Sequence, residues 1–189
     1  MSVRLPIIPT VIVVAAAATM VALGVWQLGR SEEKASLIAR YSEASKQSKT
    51  VPFPGSDDGE DVWFRQSSVS CAQVLAIQPV AGTAQSGAKG WAMRAQCNAA
   101  DGTQALIDLG FSRDLTKPDW SGGDVTGIIA PGPRLIASPA IEGLQPLAKP
   151  DPKDLPNNHL AYAGQWFFFA LTALVIYWLA LRSRFANKD

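Results

Sequence analysis

Histidine occurs once in this sequence, at position 159, and cysteine twice, at 71 and 97. Two cysteines are too few for a metal cage, and their spacing fits no zinc motif. Charge is scarce too: Asp, Glu, Lys and Arg make up 17% of residues, against roughly 25% in soluble domains. The net charge of +1 provides no electrostatic footprint for nucleic acid. There is no internal repeat, no phosphate-cradling glycine loop and no nucleophile–histidine pairing motif. The chain therefore reads as a non-enzyme. The acidic run Asp57-Asp58 with Glu60-Asp61 lies among loop residues and reads as a solvated turn.

What the chain has in abundance is apolar length at both ends. Residues 5–29 hold 25 positions without a charge, more than the roughly 7–15 of a secretory signal core. A membrane span is expected here, with a cleaved signal peptide as the bland alternative. Pro6 and Pro9 fit a first helical turn. Ala18 with Ala22, and Met20 with Gly24, form a small-residue face that another helix can approach closely. Ordinary helix-favouring alanine is the competing reading. Leu37, Ile38 and Tyr41 share one side, which carries the helix on to about residue 46. The second run, Leu160–Leu181, has 22 uncharged residues. As a helix it covers about 33 Å, enough for a hydrocarbon core of about 30 Å. Asn157 or Asn158 is placed to cap it.

Between the spans the texture changes to short strand-like runs: Val62–Ser70, Cys71–Val80, Gly90–Cys97, Thr103–Leu109, Asp124–Ile129 and Arg134–Ala137. Asp101-Gly102, Gly122-Gly123 and Pro131-Gly132-Pro133 mark turns. The fold class is an α+β membrane protein, with two transmembrane helices flanking a small antiparallel β-sheet or open barrel. The divisions are a first span over 5–29, a β-rich domain over 47–158, a second span over 159–181 and a tail over 182–189.

The short tails set the orientation. Arg4, Arg182, Arg184 and Lys188 outweigh Asp189, whereas residues 30–158 hold more acidic than basic residues. The positive-inside rule then places both termini in the cytoplasm and the β domain outside, in the periplasm. Four residues before the first run leave no room for an import presequence, so a bacterial inner membrane is expected. In that oxidising space Cys71 and Cys97, on neighbouring strands, are expected to pair. Two buried thiols are the alternative, and a copper or haem-thiolate role lacks a neighbouring ligand.

His159, Tyr162 and Trp166 fall at i, i+3 and i+7 on one helix face at the mouth of the second span. Trp26, Tyr162 and Trp166 also suit an aromatic belt. Gln27, polar near the end of a span, is a candidate bridge between the helices, to Gln165. A water-exposed amide is the competing reading.

Two stretches taken together resemble a known family. Gly24-Val25-Trp26-Gln27-Leu28-Gly29-Arg30-Ser31-Glu32-Glu33-Lys34 closes the first span, and His159-Leu160-Ala161-Tyr162-Ala163-Gly164-Gln165-Trp166-Phe167 opens the second. This pair is similar to the signature of the Surfeit-locus cytochrome c oxidase assembly family, whose two-span plan also matches. Trp63-Phe64-Arg65 resembles that family's aromatic–arginine entry into the sheet. Ala105–Phe111 resembles its Val-Asn-Arg-Gly-Trp strand end, with Asp108-Leu109 in place of Asn-Arg.

The resemblance implies a role in maturing haem-copper oxidases, delivering or stabilising haem a while the catalytic subunit is assembled. It makes His159 the candidate ligand to haem iron. Tyr162 and Trp166 would then pack against the macrocycle, and Arg30 and Lys34 would pair with propionates. The implied partners are the oxidase catalytic subunit and its associated chains, a haem a synthase and the lipid bilayer. A stoichiometric accessory subunit, retained in the mature oxidase, is the alternative role.

Overall fold

In the computed structural model of the protein, residues 6–55 and 59–186 are described. Leu5, Arg4, Lys188 and Asp189, used above for the first span and the orientation, lie outside the described residues, as do Asp57 and Asp58. Two compact units emerge. One contains residues up to Leu37 together with Pro156 onward, and the other runs from Ile38 to Leu155.

The first unit is a pair of helices. Helix α1 (Ile7–Ser45) has 39 residues and α2 (His159–Ala186) has 28. Both are long and apolar enough to cross a membrane, and their apolar stretches are only 11% and 6% buried within the protein. A core helix of a soluble protein would be covered. Here Ile7, Ile12, Phe168, Leu171 and Ile176 are all more than 60% exposed, so lipid is the medium that suits them.

Every seventh residue of α1 turns inward. Thr10, Ala17, Gly24 and Ser31 are covered, and so are Val13, Met20, Gln27 and Lys34, three positions further on. These are the a and d positions of a heptad. On α2 the matching a positions are Ala163 and Ala170, at 1% and 3% exposure, and then Tyr177. Small residues let the backbones approach. A β-carbon added at Gly24 would fall 2.5 Å from the ring of Phe167. The hydroxyls of Thr10 and Tyr177 meet across the pair. The small face is therefore Ala17 and Gly24; Ala18 and Ala22, expected from their spacing, point outward.

The second unit begins with the last turns of α1. Tyr41, 2% exposed, packs its ring against Phe64 at 5.3 Å and Trp63 at 5.9 Å. Six strands follow: β1 (Val51–Pro52), β2 (Gln66–Thr83), β3 (Lys89–Ala99), β4 (Gln104–Ser112), β5 (Gly123–Ala130) and β6 (Arg134–Ala137). They form a mixed sheet in the order β1-β2-β3-β4-β6-β5. The first half of β2 also pairs with β5, so the ladders return to β2. Two pairings, β1–β2 and β4–β6, are parallel. The remaining pairings are antiparallel.

Inward residues Val69, Met93, Ile107, Leu109, Ile129 and Leu135 form one core. Gly102, with φ +85°, makes the β3–β4 turn. There Asp101 accepts the Thr103 amide at 2.9 Å, which holds its carboxyl below the usual range. This bond contributes at neutral pH and is lost as pH falls through the depressed value, below about 4. Cys71 and Cys97 form a disulfide between β2 and β3.

Asp108 on β4 is only 3% exposed although it faces away from the core. Two guanidiniums cover it. Arg94 donates at 2.6 and 3.0 Å and Arg134 at 3.0 Å. The carboxylate in turn raises the Arg94 pKa further. This cluster ties β3, β4 and β6 together. Asp108→Ala would leave two partly covered cations without a counter-charge. Breaking a buried pair from one side costs about 3–5 kcal/mol. Because both arginines retain 27–29% side-chain exposure, about 2–3 kcal/mol is expected, read as a lowered urea midpoint for the full chain in detergent.

Candidate functional site

The site is built where the two helices of the first unit meet near residues 27–31 and 157–166. Asn158 offers its carbonyl to the Tyr162 amide at 3.2 Å and so opens α2. The Asn157 side chain turns the other way, donating to the Ser31 carbonyl of α1 at 3.1 Å. One turn lower, His159 Nδ1 and Gln27 Oε1 are 2.7 Å apart. Two hydrogen bonds between the helices, close together, fix the level of α2 against α1. In an apolar medium such contacts are worth about 1 kcal/mol each.

The expected bridge from Gln27 exists, but it ends on His159 and not on Gln165. Gln165 lies two positions past Ala163 and is exposed. The seam fixes this. Gln27, His159 and Trp166 all occupy d positions, whereas Gln165 occupies an outward c position.

The donor and acceptor roles in this contact depend on the tautomer of the ring; with the amide oxygen as the acceptor, the ring nitrogen facing Gln27 is the one that donates. In that tautomer the lone pair is on Nε2. Among the described residues, no other hydrogen bond reaches this ring. His159 itself is half-buried.

Trp166 lies one heptad along α2 from His159 and is half-buried, with its ring at 90° to Phe169 and 6.3 Å away. Tyr162 sits on the flank at 49% exposure. Arg30 is on the corresponding flank of α1, paired with Glu33. Lys34 is half-covered. Trp26 is 56% exposed on the outward side of α1. The structure thus joins His159 to Gln27 directly and puts Trp166 on the same face. Tyr162 and Arg30 border that face, and Trp26 and Gln165 turn away from it. The disulfide belongs to the other unit.

The chemistry of these residues suits a porphyrin. An imidazole that donates through one nitrogen to a protein acceptor is a type of donor that haem iron would accept. Among the described residues there is no group of three or more His, Cys, Asp or Glu that could hold a metal ion. His159 would be the residue to hold the iron. Aromatic side chains and lipid-facing surface suit a large apolar ring, and Arg30 suits a carboxylate, at the cost of exchanging Glu33 for it. The residues fit.

The sequence pattern of the SURF1 family matches residues 14–171. The chain belongs to the SURF1 family. The match takes in most of α1, the first part of α2 and the entire β unit. SURF1 proteins act in cytochrome oxidase assembly, and that is the general role of this chain. Among curated proteins, none matches it.

The seam gives the site a mechanical test. Ala170→Leu inserts a large side chain where the helices touch. It is expected to destabilise the pair by about 1–3 kcal/mol. Ala18→Leu, one position outside the seam, should stay within about 0.5 kcal/mol. Unfolding midpoints in SDS titration of the purified protein compare the two.

Proposed function

We propose that this SURF1 protein handles haem a during assembly of the oxidase catalytic subunit, with His159 as the iron ligand. The observation that carries this reading is the 2.7 Å contact between Gln27 and Nδ1. It leaves the opposite nitrogen of the chain's sole histidine as a free donor of a lone pair. Bound haem a would supply an iron that accepts an imidazole nitrogen and two propionates that pair with cations. His159 would hold the iron, Trp166 and Tyr162 would line the ring, and Arg30 with Lys34 would attract the carboxylates. The chain holds a cargo and performs no covalent step.

The same reading sets the compartment. We place the β unit in the periplasm of a bacterial inner membrane with both termini in the cytoplasm. A Cys71–Cys97 disulfide supports an oxidising space around that unit. Arg182 and Arg184 at the end of α2 support a cytoplasmic tail. Trp26, Tyr162 and Trp166 then lie near the outer interface, and Trp178 near the inner one.

The test is His159→Ala. On co-expression with haem a synthesis, the variant should insert normally and co-purify with at least tenfold less haem, read from the Soret band. Undiminished haem would remove His159 from the site. Counting the chain in purified active oxidase tests the transient role: a factor is substoichiometric, and an equimolar chain would make it a subunit.

A further inference from the structure

We propose that Gln27 is a positioning residue that sets the tautomer of His159, and this rests on the haem-handling reading. A neutral imidazole has one N–H, and which nitrogen bears it is decided by the hydrogen bond that the ring makes. Gln27 Oε1 faces Nδ1 at 2.7 Å and can only accept. The proton is therefore held on Nδ1, and Nε2 is left unprotonated. The preference of a free imidazole side chain in water is the reverse. Without Gln27 the nitrogen needed for iron would carry a hydrogen most of the time.

The supports of Gln27 belong to the same design. It lies three residues past Gly24, whose missing side chain admits the Phe167 ring. It lies four residues before Ser31, whose carbonyl takes the Asn157 amide. Close packing on one side and a hydrogen bond on the other hold the two helices in register. The Gln27 amide therefore meets the ring at a fixed level and not as a wandering side chain. In metal sites, a partner that orients an imidazole in this way accounts for about 10–100-fold in affinity.

A single histidine makes the test direct. Full-length protein labelled with 15N-histidine, in lipid nanodiscs at pH 8 without haem, yields one pair of ring-nitrogen signals. Wild type is expected to show the Nδ1–H form. Gln27→Leu, which cannot accept, should lose that form. Gln27→Glu, which keeps an acceptor oxygen, should retain a protonated Nδ1. Titration with ferric haem as the probe should show binding about tenfold weaker in Gln27→Leu than in wild type. Binding should be restored in Gln27→Glu.

A wild-type ring protonated on Nε2 would overturn the proposal without any variant being made. So would a Gln27→Leu protein that keeps both the tautomer and the haem affinity. Should the tautomer follow Gln27 while His159→Ala binds haem as wild type does, the haem reading falls and the control of the ring by Gln27 stands.

Discussion

Close approach of two helix backbones is the constraint from which the rest follows. Ala17 and Gly24 on α1, with Ala163 and Ala170 on α2, give the seam almost no side-chain thickness. In lipid there is no hydrophobic force to draw helices together, so contact area at short range has to do it. A spacing of seven drifts slowly around a 3.6-residue helix, and a slight left-handed supercoil keeps such a seam on its partner. It also decides which polar groups meet. Thr10 reaches Tyr177, Gln27 reaches His159 and Asn157 reaches Ser31 because those pairs share a level. A polar side chain off the seam, such as Gln165, is left on the outside.

The site is a product of this seam more than of local sequence. His159 stands at the first residue of α2, where a fraying turn would leave its ring free to rotate. Two bonds to α1 remove that freedom. The β unit is stabilised in other ways: a disulfide between β2 and β3, two apolar clusters, and the Arg94–Asp108–Arg134 cluster on its outer face. The two units thus use different chemistry suited to different surroundings.

Much of the architecture was legible in the residues. Both spans, the helical continuation to about residue 46 and the start of the second helix at His159 follow from charge-free length and period. The pairing of Cys71 with Cys97 followed from neighbouring strands. Other features were not legible. Residues 66–83 read as parts of two strands, but form one strand that bends at bulges near Cys71 and Val74. No turn residue marks that bend. The segment before Gln66 is a short 3-10 turn at Glu60–Val62, not strand. The parallel pairing of β4 with β6 joins segments without local contact, and no pattern within either strand announces it. Asp108 stood out only as a departure from the family's Asn-Arg. Its partner Arg94 lies directly across the β3–β4 ladder, a pairing that register alone reveals. The partner of Gln27 follows from the spacing by seven at Ala17 and Gly24, which the spacing by four at Ala18 and Ala22 does not reveal.

The long β2 strand has one further consequence. Its second half pairs with β3 on one side only, which exposes a row of backbone groups to any neighbouring chain. Pro79 sits in the middle of that row, opposite Met93. A proline fits an unbroken ladder only where its nitrogen faces outward. The row therefore lacks its central donor, and an incoming strand could not zip along it. Along this edge the β unit is thus a poor template for strand addition.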